Sequence, residues 1–250
     1  MKKHCEKLLL IIFFVGLLLS CATLPQTSSW IMLQEDVFTS SFVFENSLVH
    51  LLKADLKNDK IFLDLQLYNK KENEKNVLAK INAGPFIKKA NKTESVGIIY
   101  YKKELISSAN EKYDMLLCLE NKELKIMSQK EKFDKDVFFA VGGFWQILKD
   151  GEFIKFADIK DSRSAIGYDE KNKIVIFLQV EGEKFSASKG LSYEQCAKLF
   201  KELGCQNAIQ MDGGSSSALF LKENENIRKK NFSLFNKTHN VISWIVLKSK

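Results

Sequence analysis

The hydrophobic pattern along this chain consists mostly of short segments with period two. In Ile61-Phe62-Leu63-Asp64-Leu65-Gln66-Leu67, Ile61, Leu63, Leu65 and Leu67 share one face, which predicts a half-buried strand. Residues 115–119 and 123–127 read as the arms of a hairpin around Asn121-Lys122. Residues 145–148 and 152–156 flank Asp150-Gly151, a dipeptide favoured in two-residue hairpin loops. Residues 173–180 hold an almost unbroken apolar run, Ile174-Val175-Ile176-Phe177-Leu178, which predicts a central strand. One segment has helical spacing instead. Ser192 and Gln195 make an S-x-x-Q capping box, Cys196, Leu199, Phe200 and Leu203 form one stripe, and Gly204 stands where a helix-ending glycine belongs. Hairpins outnumber helices, so the predicted class is α+β: a mainly antiparallel sheet with hairpins and a few packed helices, in a single domain. No internal repeat or low-complexity block interrupts it.

The N-terminus has a different pattern. Lys2, Lys3 and Lys7 precede an apolar run over residues 8–19, broken only by Gly16. The run is shorter than the roughly 20 residues that span a bilayer, and its flanks are those of a signal peptide. It ends in Leu18-Leu19-Ser20-Cys21, which resembles the lipobox of bacterial lipoproteins. That resemblance implies a signal peptide over 1–20, lipidation of Cys21, a tether and lead-in over 21–44, and a folded domain over 45–250. It also implies export to the bacterial cell envelope, with the membrane as a partner through acyl chains worth about 0.8 kcal/mol per buried CH2.

Composition narrows the class further. A chain of 250 residues, 45% hydrophobic and 28% charged, fits one sizeable globular domain and excludes a disordered polymer or a collagen-like repeat. Lys and Arg total 38 against 31 Asp and Glu, a net charge of +7, yet only Arg163 and Arg228 are arginines. The lysines form no stripe interleaved with aromatics, so no nucleic-acid partner is predicted. Beyond Cys21 the cysteines are Cys118, Cys196 and Cys205, an odd set without a CxxC pair. They read as buried small hydrophobes, without a zinc pattern or a disulfide framework. No metal and no cofactor is predicted.

Candidate chemistry lies in segments that depart from core-and-loop grammar. In Ile209-Gln210-Met211-Asp212-Gly213-Gly214-Ser215-Ser216-Ser217, a short apolar strand delivers a carboxylate to two glycines and three hydroxyls. The glycines permit close approach to a ligand, and their N–H groups can form an anion-binding nest; a plain hairpin turn is the alternative. In Asp161-Ser162-Arg163-Ser164-Ala165-Ile166-Gly167, Arg163 offers a planar fork matched to phosphate or carboxylate, or else a structural salt bridge. Asn82 ends a strand-like run at Ala83-Gly84-Pro85-Phe86, where an Asx turn is the alternative. Gly142-Gly143, before Phe144-Trp145, marks a bulge or a close approach to substrate.

These segments, in this order, resemble the phosphodiester glycosidase family. The family pattern is N-G-G-F-F, then G-G before a D-G hairpin, then S-R-T-A-I-G, then a capped helix leading to D-G-G-G-S-S. Asn82 to Phe86, Gly142 to Gly151, Ser162 to Gly167 and Asp212 to Ser217 match it. Ala83, Pro85 and Ser215 depart from it, and His239 occupies the slot nearest a C-terminal arginine of the family. The resemblance implies hydrolysis of a sugar-1-phosphodiester at the anomeric carbon, with a phosphodiester or glycan as partner. It implies Asp212 as the catalytic carboxylate, Arg163 as stabiliser of the departing phosphate and Asn82 as an orienting group. Gly84, Gly142, Gly143, Ser164, Gly213, Gly214, Ser215 and His239 are the implied substrate contacts. Two other readings remain open at this level: a surface lipoprotein that binds a phosphosugar or glycan without cleaving it, and a glycosidase acting on an acidic sugar.

Overall fold

A computed structural model describes residues 29–68, 74–90, 92–134, 136–182, 187–224, 226–231 and 241–250. The strands begin with β1 (Ile31–Gln34), β2 (Val37–Phe44), β3 (Ser47–Asp55), β4 (Ile61–Leu67), β5 (Val77–Asn82), β6 (Phe86–Lys89) and β7 (Lys92–Ser95). Next come β8 (Ile99–Tyr101), β9 (Glu104–Ser107), β10 (Asp114–Leu119), β11 (Leu124–Ser128), β12 (Val137–Gly142), β13 (Gln146–Lys149) and β14 (Glu152–Phe153). The last are β15 (Arg163–Asp169), β16 (Ile174–Val180), β17 (Asn207–Gln210), β18 (Leu219–Glu223), β19 (Asn226–Lys229) and β20 (Ser243–Ser249). One α-helix, α1 (Tyr193–Glu202), stands among them within the described residues. The expectation of a few packed helices is therefore corrected to a predominantly β fold with one helix. The period-two pattern extends through nearly all of the chain, and only residues 192–204 carry the 3.6 spacing.

An eight-stranded sheet runs β1-β2-β3-β16-β15-β17-β13-β14. Two five-stranded sheets run β11-β10-β12-β8-β9 and β19-β18-β5-β20-β4, and β6-β7 is a separate hairpin. All the named pairings are antiparallel. The large sheet is the middle layer. Val175 and Phe177 of β16 join the core shared with the two smaller sheets. Ile176, Leu178 and Val180 join the core beneath α1. Burial on both faces explains why the run in β16 is continuous and not alternating. Strands β1 and β2, which fall within the span read as tether and lead-in, belong to this sheet, with β2 pairing to β3 from Val37–Ala54 to Phe44–Ser47.

Helix α1 follows its sequence signature closely. Ser192 caps it, with its hydroxyl accepting from Gln195 N–H while the Gln195 side chain accepts from Ser192 N–H. Cys196, Leu199 and Phe200 are buried against the sheet, Leu199 and Phe200 each contributing on the order of 1.5–3 kcal/mol. Phe200 seats on Gly167 of β15, where a Cβ would stand 2.3 Å from its ring. Cys118, Cys196 and Cys205 are free and buried. Burial pushes each thiol up to about 12, which makes them inert packing groups.

Candidate active site

The ends of β5, β15 and β17 converge because their strands are joined through the shared core. Asn82, the last residue of β5, is the knot. Its side-chain oxygen accepts from Ser164 Oγ at 2.6 Å and from Ala218 N–H at 2.9 Å. Its Nδ2 donates to the Asp212 carbonyl at 2.8 Å. Ser164 Oγ also meets Ser217 Oγ at 2.8 Å, and Ser217 Oγ donates to the Arg163 carbonyl at 2.7 Å. Asn82 and Ser164 are both fully buried, so they fix the backbone that carries Asp212 and Arg163 and do not line the site. A buried amide with three satisfied hydrogen bonds is a rigid strut, since breaking one leaves a polar atom stranded.

Above this knot lies a cavity of about 720 Å3, within the range of small-molecule sites. Phe86, Lys88, Phe144, Trp145, Asp161, Arg163 and Tyr193 line it with the loop from Asp212 to Ser216. One wall is aromatic: Trp145 stacks on Phe144 with centroids 5.4 Å apart, and Tyr193 and Phe156 tilt against Trp145. Asp212 is held at the base by its N–H donating to the Ala83 carbonyl at 3.0 Å. Burial raises its carboxyl to about 6 from an ordinary 3.8, against the opposing hydrogen bonds from Ser216 and from Gly213 N–H. A carboxylate so poised is a catalytic candidate near neutral pH.

Arg163 is almost wholly buried, and its fork is largely spent within the protein. Nε donates to the Leu191 carbonyl at 2.9 Å and Nη2 to the Ile159 carbonyl. The Tyr193 ring lies 4.4 Å from Cζ. Among the described residues Nη1 has no hydrogen-bond partner, and it faces Gly213, where a Cβ would stand 3.9 Å from it. The side chain thus presents a charge and one nitrogen, not the bidentate fork expected from its type.

The glycines divide. A Cβ on Gly84 would meet the Gly142 carbonyl oxygen at 2.2 Å, one on Gly142 would meet Gln129, and one on Gly143 would meet the Gln210 carbonyl. Gly84 and Gly143 let backbones pack against one another, Gly142 makes room for the Gln129 amide, and all three are absent from the cavity wall. Gly213, Gly214 and Ser215 do line it. The anion-binding nest expected there is not free, because Gly213 N–H donates to Asp212 Oδ1 and Gly214 N–H to the Ser162 carbonyl. His239 and Cys21 lie outside the described residues. The sequence reading missed Asp161, Tyr193, Phe86, Lys88 and Trp145. Period two was the available signal for some of them, since Asp161 shares a face with Arg163, and Lys88 with Phe86. Among the described residues, no group of three or more metal-ligating side chains gathers.

The chain is 30% identical to the mouse N-acetylglucosamine-1-phosphodiester alpha-N-acetylglucosaminidase over 71 residues, 28% of this chain and 13% of the mouse protein. The human enzyme is 32% identical over a segment of the same length, again 13% of that protein. The chain therefore spans only a small part of the curated relatives it matches. Among solved structures, the zebrafish N-acetylglucosamine-1-phosphodiester alpha-N-acetylglucosaminidase catalytic domain, auto-inhibited by its pro-peptide, superposes with a TM-score of 0.64 at 16% identity. That match covers 86% of this chain and 82% of the zebrafish one. A hypothetical protein from Synechocystis superposes at 0.61 with 12% identity, over 92% of this chain and 65% of the other. At such identities the structures establish the shared fold. Residues 75–245, which carry every segment of the knot and the cavity, match the family model for phosphodiester glycosidases, and the chain belongs to that family.

Proposed function

We propose that this protein hydrolyses a sugar-1-phosphodiester at the anomeric carbon, releasing the sugar and a phosphomonoester. The observation that carries the reading is Asp212, raised to about 6 and set in one cavity with Arg163, whose Nη1 has no partner among the described residues. Bond cleavage at C1 builds positive charge on the sugar and negative charge on the leaving phosphate. Ionised Asp212 stabilises the first, as nucleophile or as base for the attacking water. The Arg163 charge, the Lys88 ammonium and the Ser215 hydroxyl stabilise the second. A phosphate monoester is already a good leaving group, so no protonating acid is required of the site. Trp145 and Phe86 supply flat apolar surface for the sugar ring.

The test is turnover on a panel of sugar-1-phosphodiesters set beside matched neutral and acidic glycosides. Diesters are expected to be cleaved and the glycosides to be spared. Cleavage of acidic glycosides alone, or of nothing, overturns the proposal and favours the acidic-sugar or the binding-only reading respectively. We further propose that residues 1–20 are removed and that Cys21 carries lipid, which places the site at a membrane surface in the cell envelope. The charged start, the short apolar run and Leu-Leu-Ser-Cys support that placement.

A further inference from the structure

Resting on the hydrolase reading above, we propose that the diester cleaved here is zwitterionic, with an ammonium or quaternary ammonium group on its alcohol side held by Asp161. Asp161 is an exposed carboxylate, and most of those are solvated surface groups. Three observations set this one apart. Its backbone is clamped, with Asp161 N–H donating to the Leu191 carbonyl and Leu191 N–H to the Asp161 carbonyl. Gly190 packs against it so closely that a Cβ there would stand 2.4 Å from the Asp161 carbonyl oxygen. Its carboxylate is divided as well: Oδ1 accepts from Ser162 N–H at 2.7 Å. Oδ2 lies beside Gly214, 3.6 Å from where a Cβ would sit, on the wall of the cavity. Finally, although Arg163 and Lys88 line the same cavity, Asp161 makes no ion pair among the described residues.

The consequence is electrostatic. Two cations, Lys88 and Arg163, and two carboxylates, Asp161 and Asp212, face one small volume. With both carboxylates ionised the cavity is bipolar and carries no net charge. A simple diester brings one negative charge and is opposed by Asp161, whereas a diester with an ammonium beyond its phosphate presents opposite charges to both ends of the site. Asp161 is exposed and lines the cavity, so its carboxylate is open to a cationic group on a bound diester.

The experiment compares a sugar-1-phosphoryl-ethanolamine with the size-matched sugar-1-phosphoryl-propanol, using the full-length protein in detergent. A partly exposed ion pair predicts a kcat/KM about 5-fold higher for the ethanolamine diester, shrinking in 1 M salt. Asp161→Asn keeps the Oδ1 acceptor for Ser162 N–H and is expected to bring the ratio to about one, while Asp161→Glu keeps part of the preference. Equal rates in the wild type, or an undiminished preference in Asp161→Asn, overturn the inference. If neither diester is cleaved, the hydrolase reading fails by itself. Equilibrium binding of the same two diesters to wild type and Asp161→Asn then decides the charge preference separately.

Discussion

Stability and turnover pull in opposite directions at Asp212. Its carboxyl titrates at about 6 in the folded protein against an ordinary 3.8. A difference of about 2 pH units, at 1.36 kcal/mol each, corresponds to about 3 kcal/mol. The native state holds a proton that the unfolded chain has released, so this contribution favours folding in full below about pH 4. It is lost as pH rises towards 6, and above that the protein bears the cost of an ionised, mostly buried carboxylate. Asp212→Asn removes the charge and keeps the shape. The amide oxygen still accepts from Gly213 N–H, and the Ser216 hydroxyl turns to accept from the amide. The variant is therefore expected to exceed the wild type by about 2–3 kcal/mol at pH 7.5, and to equal it at pH 3.5. Urea unfolding of both proteins at the two pH values measures the gap, with equal m-values confirming that the same surface is exposed. In the same preparation, turnover of a diester is expected to fall about 100-fold or more. A stability gap independent of pH would falsify the desolvation argument, and wild-type turnover would remove Asp212 from catalysis.

Arg163→Lys keeps the charge but cannot donate to both the Leu191 and the Ile159 carbonyls, so it should lose about 2–3 kcal/mol of stability together with kcat; unchanged melting refutes the anchoring role. Gly84→Ala drives a methyl into the Gly142 carbonyl and should cost at least about 2 kcal/mol, measured by denaturant midpoint, although Gly84 never touches the cavity. The kcat/KM of the wild type should rise with pH through about 6 as Asp212 ionises, and a flat profile across that range contradicts its use as base or nucleophile. Cys21→Ala should leave precursor or soluble protein in place of a detergent-partitioning form, and unaltered processing and partitioning argue against lipidation.

Local signals in the sequence were read well wherever a single element explains its own residues. Ile61–Leu67 is a strand over its predicted length, and the capping box of α1 forms on both sides. Asp150 and Gly151 take the positive φ angles that their hairpin demands. Strand β2 escaped because its period is broken by Ser40, a buried hydroxyl that donates to the Ser29 carbonyl and so looks polar in a position that is interior. The site was legible in its residue types but not in its roles. Asn82 and Arg163 are conspicuous in the sequence, yet their donors and acceptors are taken up largely by backbone that lies 28 to 136 residues away or by the Ile159 carbonyl. Tyr193 and Phe86 are ordinary aromatics until the cavity joins the start of α1 to β6. Pattern along one strand cannot show which distant segment satisfies a polar group.

The position of β20 between β5 and β4 has a consequence in time. Lys248 pairs with Asp64 across 184 residues, and Asn82 finds its partners at Asp212 and Ala218 130 and 136 residues onward. Contacts of such separation incur loop-closure entropy before they return any stabilisation, which slows folding. During N-to-C synthesis β4 and β5 wait without the strand that joins them, their edges unpaired. The sheet of residues 99–142 holds a buried cluster of its own, whereas the sheet that carries Asn82 is completed last, once β20 is available to join β5 to β4.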